Sequence, residues 1–253
     1  MRSHWDLTIH QYPALVLSDV HLGAHSPLQE QLLRGHLTLL MDKCVEQQTQ
    51  LIILGDLFDY WLESGKHFPP AFKDWLNTFE SYHTKAPSIY LVTGNHDHWA
   101  GQILENAGFT LINDYLRLRN KTHSFVLFHG DGLLTPEMDM IRFGLNAKFR
   151  EPSWNTLFSH LLPYHARVWL MRSFSSYRRS RFHDEDEREF LQTYFWQWLE
   201  HSRYDVAVYG HTHLRFLIQK NQKTLINLGE MITESYILNI EESHHTLTEH
   251  SLT

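Results

Sequence analysis

Short apolar runs alternate with stretches of helical spacing along the first half of the chain. Ala14 to Ser18, Leu51 to Leu54 and Ile89 to Thr93 are compact apolar runs and predict buried strands. Between them, Pro27 to about Gln48 predicts a helix, with Leu28, Leu32, Leu39, Leu40 and Val45 on or near one face. A second helix is expected from Pro70 to Tyr82 and a short one near Trp99 to Ala107. Tyr115 to Arg119 and Ser124 to Phe128 flank Asn120-Lys121 and read as a hairpin. Strands alternating with helices predict an α/β layered fold.

From about Gly132 to Ser202 the pattern becomes helical and aromatic. Trp154, Leu157, Phe158 and Leu161 have helical spacing, as do Phe190, Leu191, Tyr194, Phe195, Trp198 and Leu199. The β pattern resumes at Asp205 to Val208 and continues from Phe216 through a turn at Asn221-Gln222 to Ile240. The chain thus reads as one domain, 1–253, with a helical insertion over 133–202 placed as a cap beside the site.

Polar residues follow five of the apolar runs. They are Ser18-Asp19-Val20-His21, Gly55-Asp56, Gly94-Asn95-His96-Asp97, His129-Gly130-Asp131 and Gly210-His211-Thr212-His213. Ligand sites in open α/β sheets gather at the carboxyl ends of strands. If these strands are neighbours, their tips form a site.

Composition sharpens this picture. Twenty of the 253 residues are histidine, the commonest metal ligand. Hydrophobic residues make up 42% and charged residues 20%, which suits a packed core and excludes wholesale disorder. A net charge of -7 argues against a general nucleic-acid-coating surface, so no nucleic-acid partner is expected. The lone Cys44 allows no internal disulfide and fits a reducing compartment. The first residues lack a continuous apolar segment, so no signal peptide is expected, and no window is apolar enough for a membrane span. A cytoplasmic protein is the expectation.

Asp19 and His21 are two apart and would share a face of an extended strand. Carboxylates, an asparagine carbonyl and imidazoles form a mixed donor set that suits Mn²⁺, Fe²⁺ or Zn²⁺ better than Mg²⁺ or Ca²⁺. All five motifs, in this order, resemble the calcineurin-like metallophosphoesterase superfamily. The resemblance implies a four-layer αββα sandwich of two mixed β-sheets with flanking helices. It implies two divalent cations, Mn²⁺ first, with Fe²⁺ or Zn²⁺ admitted by the ligands. Asp19, His21, Asp56 and His213 would hold one; Asp56, Asn95, His129 and His211 the other, with Asp56 bridging. Such a pair clamps an in-line displacement at phosphorus. His96 would serve the leaving oxygen, and Asp97 would orient His96.

Longer words narrow the resemblance: Ser18 to Gly23, Gly55 to Trp61, Gly130 to Leu133 and Ile226 to Glu230. They look like the UDP-2,3-diacylglucosamine diphosphatase branch of lipid A synthesis, in the variant group that keeps Gly-Asn-His-Asp. This implies a lipidated UDP-sugar as substrate, contacted by Asn95, His96 and His211. Pro152 to His183 contains no acidic residue but holds Arg167, Arg172, Arg178, Arg179 and Arg181 beside Trp169, Leu170 and Phe174. Arginine forks suit pyrophosphate, and the apolar neighbours suit acyl chains or peripheral contact with an anionic inner membrane face. The same residues could simply pack the insertion. Other readings remain open: a soluble nucleotide pyrophosphatase or phosphodiesterase of the superfamily, and a non-catalytic metal-binding scaffold.

Overall fold

The computed structural model describes residues 2–8, 13–131, 161–181 and 185–252. The first half contains β1 (Arg2–Thr8), β2 (Ala14–Leu17), α1 (Pro27–Glu46), β3 (Gln50–Ile53), α2 (Lys73–His83), β4 (Ile89–Val92), α3 (Gln102–Asn106), β5 (Phe109–Arg119) and β6 (Ser124–Phe128). Then come α4 (Tyr164–Arg181), α5 (Glu185–His201), β7 (Val206–Tyr209), β8 (Phe216–Lys220), β9 (Lys223–Asn227), β10 (Ser235–Ile240) and β11 (His245–His250). Trp154, Leu157 and Phe158 lie outside the described residues.

The strands form a mixed sheet in the order β11-β10-β2-β3-β4-β5-β6-β7-β9-β8, with β1 also paired to β5. The expected hairpin is real: Tyr115 to Arg119 run antiparallel to Phe128 to Ser124. Its first strand, however, begins at Phe109. Residues 109–112 of β5 pair in parallel with β4, and residues 115–119 pair with β6. One long strand therefore serves both halves of the sheet, which curls upon itself.

Strand alternation sorts side chains into three apolar clusters and so produces four layers. Leu15, Leu17, Leu51, Ile53 and Leu91 pack under Leu33, Leu37 and Leu40 of α1 and Phe79 of α2. Val16, Ile52 and Leu54 point the other way and meet Leu116, Leu127, Val206, Val208 and Ile226 between the halves. Val126, Phe128, Ala207 and Tyr209 face Leu191, Phe195 and Leu199 of α5. The order is helix, sheet, sheet, helix, as the resemblance implied. The second part of the 133–202 segment thus supplies one outer layer.

Helix α1 starts where Ser26 caps it. The Ser26 hydroxyl accepts from Gln29 N and the Gln29 side chain accepts from Ser26 N, a capping box worth about 1 kcal/mol. Its buried face differs from the expected one. Leu33, Leu37, Leu40, Met41 and Cys44 are buried, whereas Leu28, Leu32 and Leu39 are exposed. The helix carries leucine on two sides, and the i, i+4, i+7, i+8, i+11 row makes the longer stripe against the sheet.

Candidate metal centre

The five polar motifs converge where β2, β3, β4, β6 and β7 end, and the backbone there is unusual. Asp19, His21, Asp56, His211 and His213 all have φ between 49° and 65°. Left-handed backbone costs a non-glycine residue of order 1–3 kcal/mol, and such strain persists where surrounding structure dictates it. Here the loops are tied to each other. Val20 N and His21 N both donate to Asp56 O (3.0 and 2.9 Å), and Gly210 N donates to His129 O (2.9 Å). His211 N donates to Asp19 Oδ2 (2.9 Å), while Ser18 Oγ lies 2.5 Å from the same oxygen.

Glycines make room for the carboxylates. A Cβ on Gly94 would stand 2.1 Å from Asp56 Oδ1, and one on Gly210 would stand 2.1 Å from Asp19 Oδ2. These two motif glycines are spatial requirements rather than turn requirements.

Three sets of donor atoms each converge within 4.8 Å: Asp19, His21 and His213; Asp56, His129 and His211; and His21, Asp59 and His96. Nε2 of His21 lies 3.1 Å from Nε2 of His213 and 3.7 Å from Asp56 Oδ2, which links the first two sets. His129 Nε2 lies 3.3 Å from Asp56 Oδ2 and 3.2 Å from Asn95 Oδ1. Its other nitrogen, Nδ1, lies 2.8 Å from Leu54 O and aims the ring. All seven expected ligand residues therefore meet in one place.

Electrostatics favour a cation there. Asp19 and Asp56 are buried. Burial holds His21 well below its ordinary value. Burial, then neighbouring His129, holds His211 down at about 3; burial, then His21, holds His213 down at about 4. These three rings are neutral, with a lone pair available. Burial also works against charge on His129, but the facing Asp56 carboxylate outweighs it and carries the imidazole up to about 10. Two buried carboxylates converging with neutral imidazoles are a donor set that fits a divalent cation of the Mn, Fe or Zn type.

His96 Nε2 lies 3.9 Å from Asp56 Oδ2, and its Nδ1 lies 2.5 Å from Asp59 O. Asp97 corrects an expectation. Its carboxylate does not orient His96; Oδ1 accepts from Gly94 N (2.7 Å) and Oδ2 from Leu57 N (2.8 Å). Burial, then Asp56, pushes it up to about 6. It follows His96 directly and braces the third motif onto the second. Sequence reasoning passed over Asp59, although it stands in the word Gly55 to Trp61. His98 braces the same loop, with Nδ1 2.9 Å from Asn95 O.

Helix α4 is docked beside this loop. Tyr164 Oη donates to Leu62 O (3.0 Å), and buried Arg167 donates to Ser64 Oγ (2.9 Å). Trp169 and Arg172 are exposed. The side chains of Phe174, Arg178, Arg179 and Arg181 lie outside the described residues. Among the described residues, no helix is long and apolar enough to cross a membrane.

The profile of the calcineurin-like phosphoesterases matches residues 12–215. A UDP-2,3-diacylglucosamine hydrolase of Shewanella piezotolerans is 27% identical over 244 residues, covering 93% of this chain and 97% of that protein. A protein of the same name from Vibrio cholerae is 26% identical over 238 residues, 88% of this chain and 93% of its own. One from Neisseria gonorrhoeae is 32% identical over 138 residues, about half of each.

Proposed function

The chain belongs to the calcineurin-like phosphoesterase family, and on that footing we propose that it hydrolyses the pyrophosphate of UDP-2,3-diacylglucosamine. The products are UMP and 2,3-diacylglucosamine 1-phosphate. The observation that carries this reading is the likeness to hydrolases of that name along nearly the full length of both chains, supported by three converging groups of donor atoms at the strand ends.

In this reading Asp19, His21, Asp56 and His213 hold one divalent cation, and Asp56, Asn95, His129 and His211 hold a second, Asp56 bridging. Mn²⁺ is the first choice. Bound there, such cations supply Lewis acidity toward the phosphoryl oxygens and a water acidified toward neutral pH. The chain's own groups do the rest. His96 Nδ1 faces the Asp59 carbonyl, so Nδ1 carries the hydrogen and Nε2 is the atom that exchanges a proton with the leaving oxygen. Asn95, His96 and His211 line the path of the phosphates. Arg172, with Arg178, Arg179 and Arg181, supplies the charge on α4 that orients the pyrophosphate. Helix α4, from the 133–202 segment, caps the site, and exposed Trp169 and Leu170 beside Arg172 suit acyl chains at an anionic membrane face on the cytoplasmic side.

A substrate panel tests this. With Mn²⁺ present, the purified protein should turn over UDP-2,3-diacylglucosamine at least 100-fold faster than UDP-N-acetylglucosamine or bis-p-nitrophenyl phosphate. Equal turnover of simple nucleotides, with none of the lipid substrate, would replace this reading by that of a soluble nucleotide pyrophosphatase.

A further inference from the structure

Strand β5 carries Tyr115, Arg117 and Arg119 at two-residue steps, so the three side chains share one face. Tyr115 is buried with Phe195 and Leu199 of α5. The helix stops at His201, and Arg117 and Arg119 continue along the strand beyond Tyr115. There they line a cavity of about 570 Å³, together with the turn Arg203-Tyr204-Asp205. The cavity lies where β6 and β7 begin, at Ser124 and Asp205, whereas His129 and His211 follow the ends of the same strands. It is separate from the metal centre.

Its charge is the reverse of the chain's. Arg117, Arg119, Lys121 and Arg203 line it beside two acids, Asp6 and Asp205, in a chain with 22 basic and 29 acidic residues. Both acids are engaged. Asp6 accepts from Arg117 Nε (2.6 Å) and Nη2 (2.9 Å), and Asp205 Oδ2 accepts from Ser124 N and Oγ (both 2.7 Å). Lys121 pairs with Glu242 (2.9 Å). Arg119 and Arg203 are exposed, and among the described residues no carboxylate pairs with either. Arg203 donates to Tyr204 Oη (3.4 Å). That hydroxyl holds Arg203 above its ordinary value, while the charge of Arg117 works the other way. The guanidiniums are thus near enough to repel one another.

We infer that this cavity binds a phosphate-bearing small molecule, with Arg119 and Arg203 as the forks that hold the phosphate. A guanidinium matches phosphate oxygens in pairs, and an anion among these cations relieves their repulsion. Small-molecule sites run from about 300 to 1,000 Å³, so the cavity takes a phosphate together with the organic body that bears it.

Calorimetry with inorganic phosphate tests this. The wild type should bind phosphate in the cavity, and Asp56→Ala, with its metal centre broken, should keep that site. This separates a failure here from a failure of the metal reading. Arg119→Gln and Arg203→Gln should each weaken the site about 10-fold or more, as expected for a lost hydrogen bond to a charged group. Metal content, turnover and circular dichroism should stay as in the wild type, since both side chains are exposed. Lys85→Gln, exposed on another part of the surface, should change nothing. Equal phosphate binding by the wild type and both arginine variants would overturn the inference, and so would an equal loss in Lys85→Gln. Once the site is shown, phosphatidylglycerol vesicles tell the source of the phosphate. Weaker sedimentation of the arginine variants with them marks a lipid headgroup, and unchanged sedimentation marks a soluble ester.

Discussion

A methyl group on Gly94 would stand 2.1 Å from Asp56 Oδ1 and 2.8 Å from His129 Nε2. The clash is with the site itself, the Asp56 backbone N (2.8 Å) included, rather than with distant packing, and Gly94 does not need positive φ. Gly94→Ala should therefore fold, displace the Asp56 carboxylate and lower both Mn²⁺ binding and activity at least 100-fold. Gly210→Ala, aimed at Ser18 Oγ (2.0 Å) and Asp19 Oδ2 (2.1 Å), should do the same. Metal analysis beside circular dichroism reads both effects; full metal content in either variant would contradict the geometry.

Asp56 lies within 3.7 Å of His21 on one side and 3.3 Å of His129 on the other. Asp56→Ala should lower the bound metal by more than one equivalent per chain and reduce activity by about 10³-fold or more. Loss of a single equivalent, measured by atomic emission, would argue against a shared ligand.

His96 and Asp97 are adjacent but should fail differently. His96→Ala should keep metal and stability and lose kcat by about 10²–10⁴-fold, the range of general acid–base groups. Asp97→Ala removes the acceptor of two buried backbone N–H groups. It should cost about 2–5 kcal/mol in urea unfolding, since each orphaned donor costs about 1–3 kcal/mol. A fully active His96→Ala enzyme would remove that residue from the reaction.

His36 of α1 stacks on His250 of β11, ring centres 3.9 Å apart. Burial, then the neighbouring His250, holds His36 down at about 4, and burial lowers His250 as well. Both return to about 6.5 in the unfolded chain, which therefore binds more protons below that pH. The stability contributed by the neutral pair is present above pH 6.5 and is lost as pH falls through about 4. The urea midpoint of the wild type should drop more steeply over this window than that of His36→Gln. Parallel curves would show that the stack does not titrate as its burial implies.

The strand tips and their ligands were legible because each motif joins an apolar run to a particular polar set, as at Ile89 to Asp97. Period alone misplaced the buried side of α1, since Leu28, Leu32 and Leu39 satisfy a helical spacing as well as Leu33, Leu37 and Leu40 do. The first and last strands of the chain, β1 and β11, carry few apolar residues; β11 folds back on its neighbour β10, whereas β1 is paired by β5, a partner far along the chain. The role of Asp97 was misread for a related reason. Adjacency to His96 suggested a contact, but its carboxylate turns back to Gly94 in its own motif and to Leu57, which is reached only after the second and third motifs fold together.

Strand β5 reaches from β4 to β6 without a break. Asp19, Asp56 and Asn95 follow strands on one side of it, and His129, His211 and His213 follow strands on the other. The sheet thus provides no hinge along which the two groups of residues could part. A substrate too large for the gap between them cannot be admitted by opening the protein like a book; room for it has to come from what lies over the strand tips, leaving the spacing of the six residues untouched through every turnover.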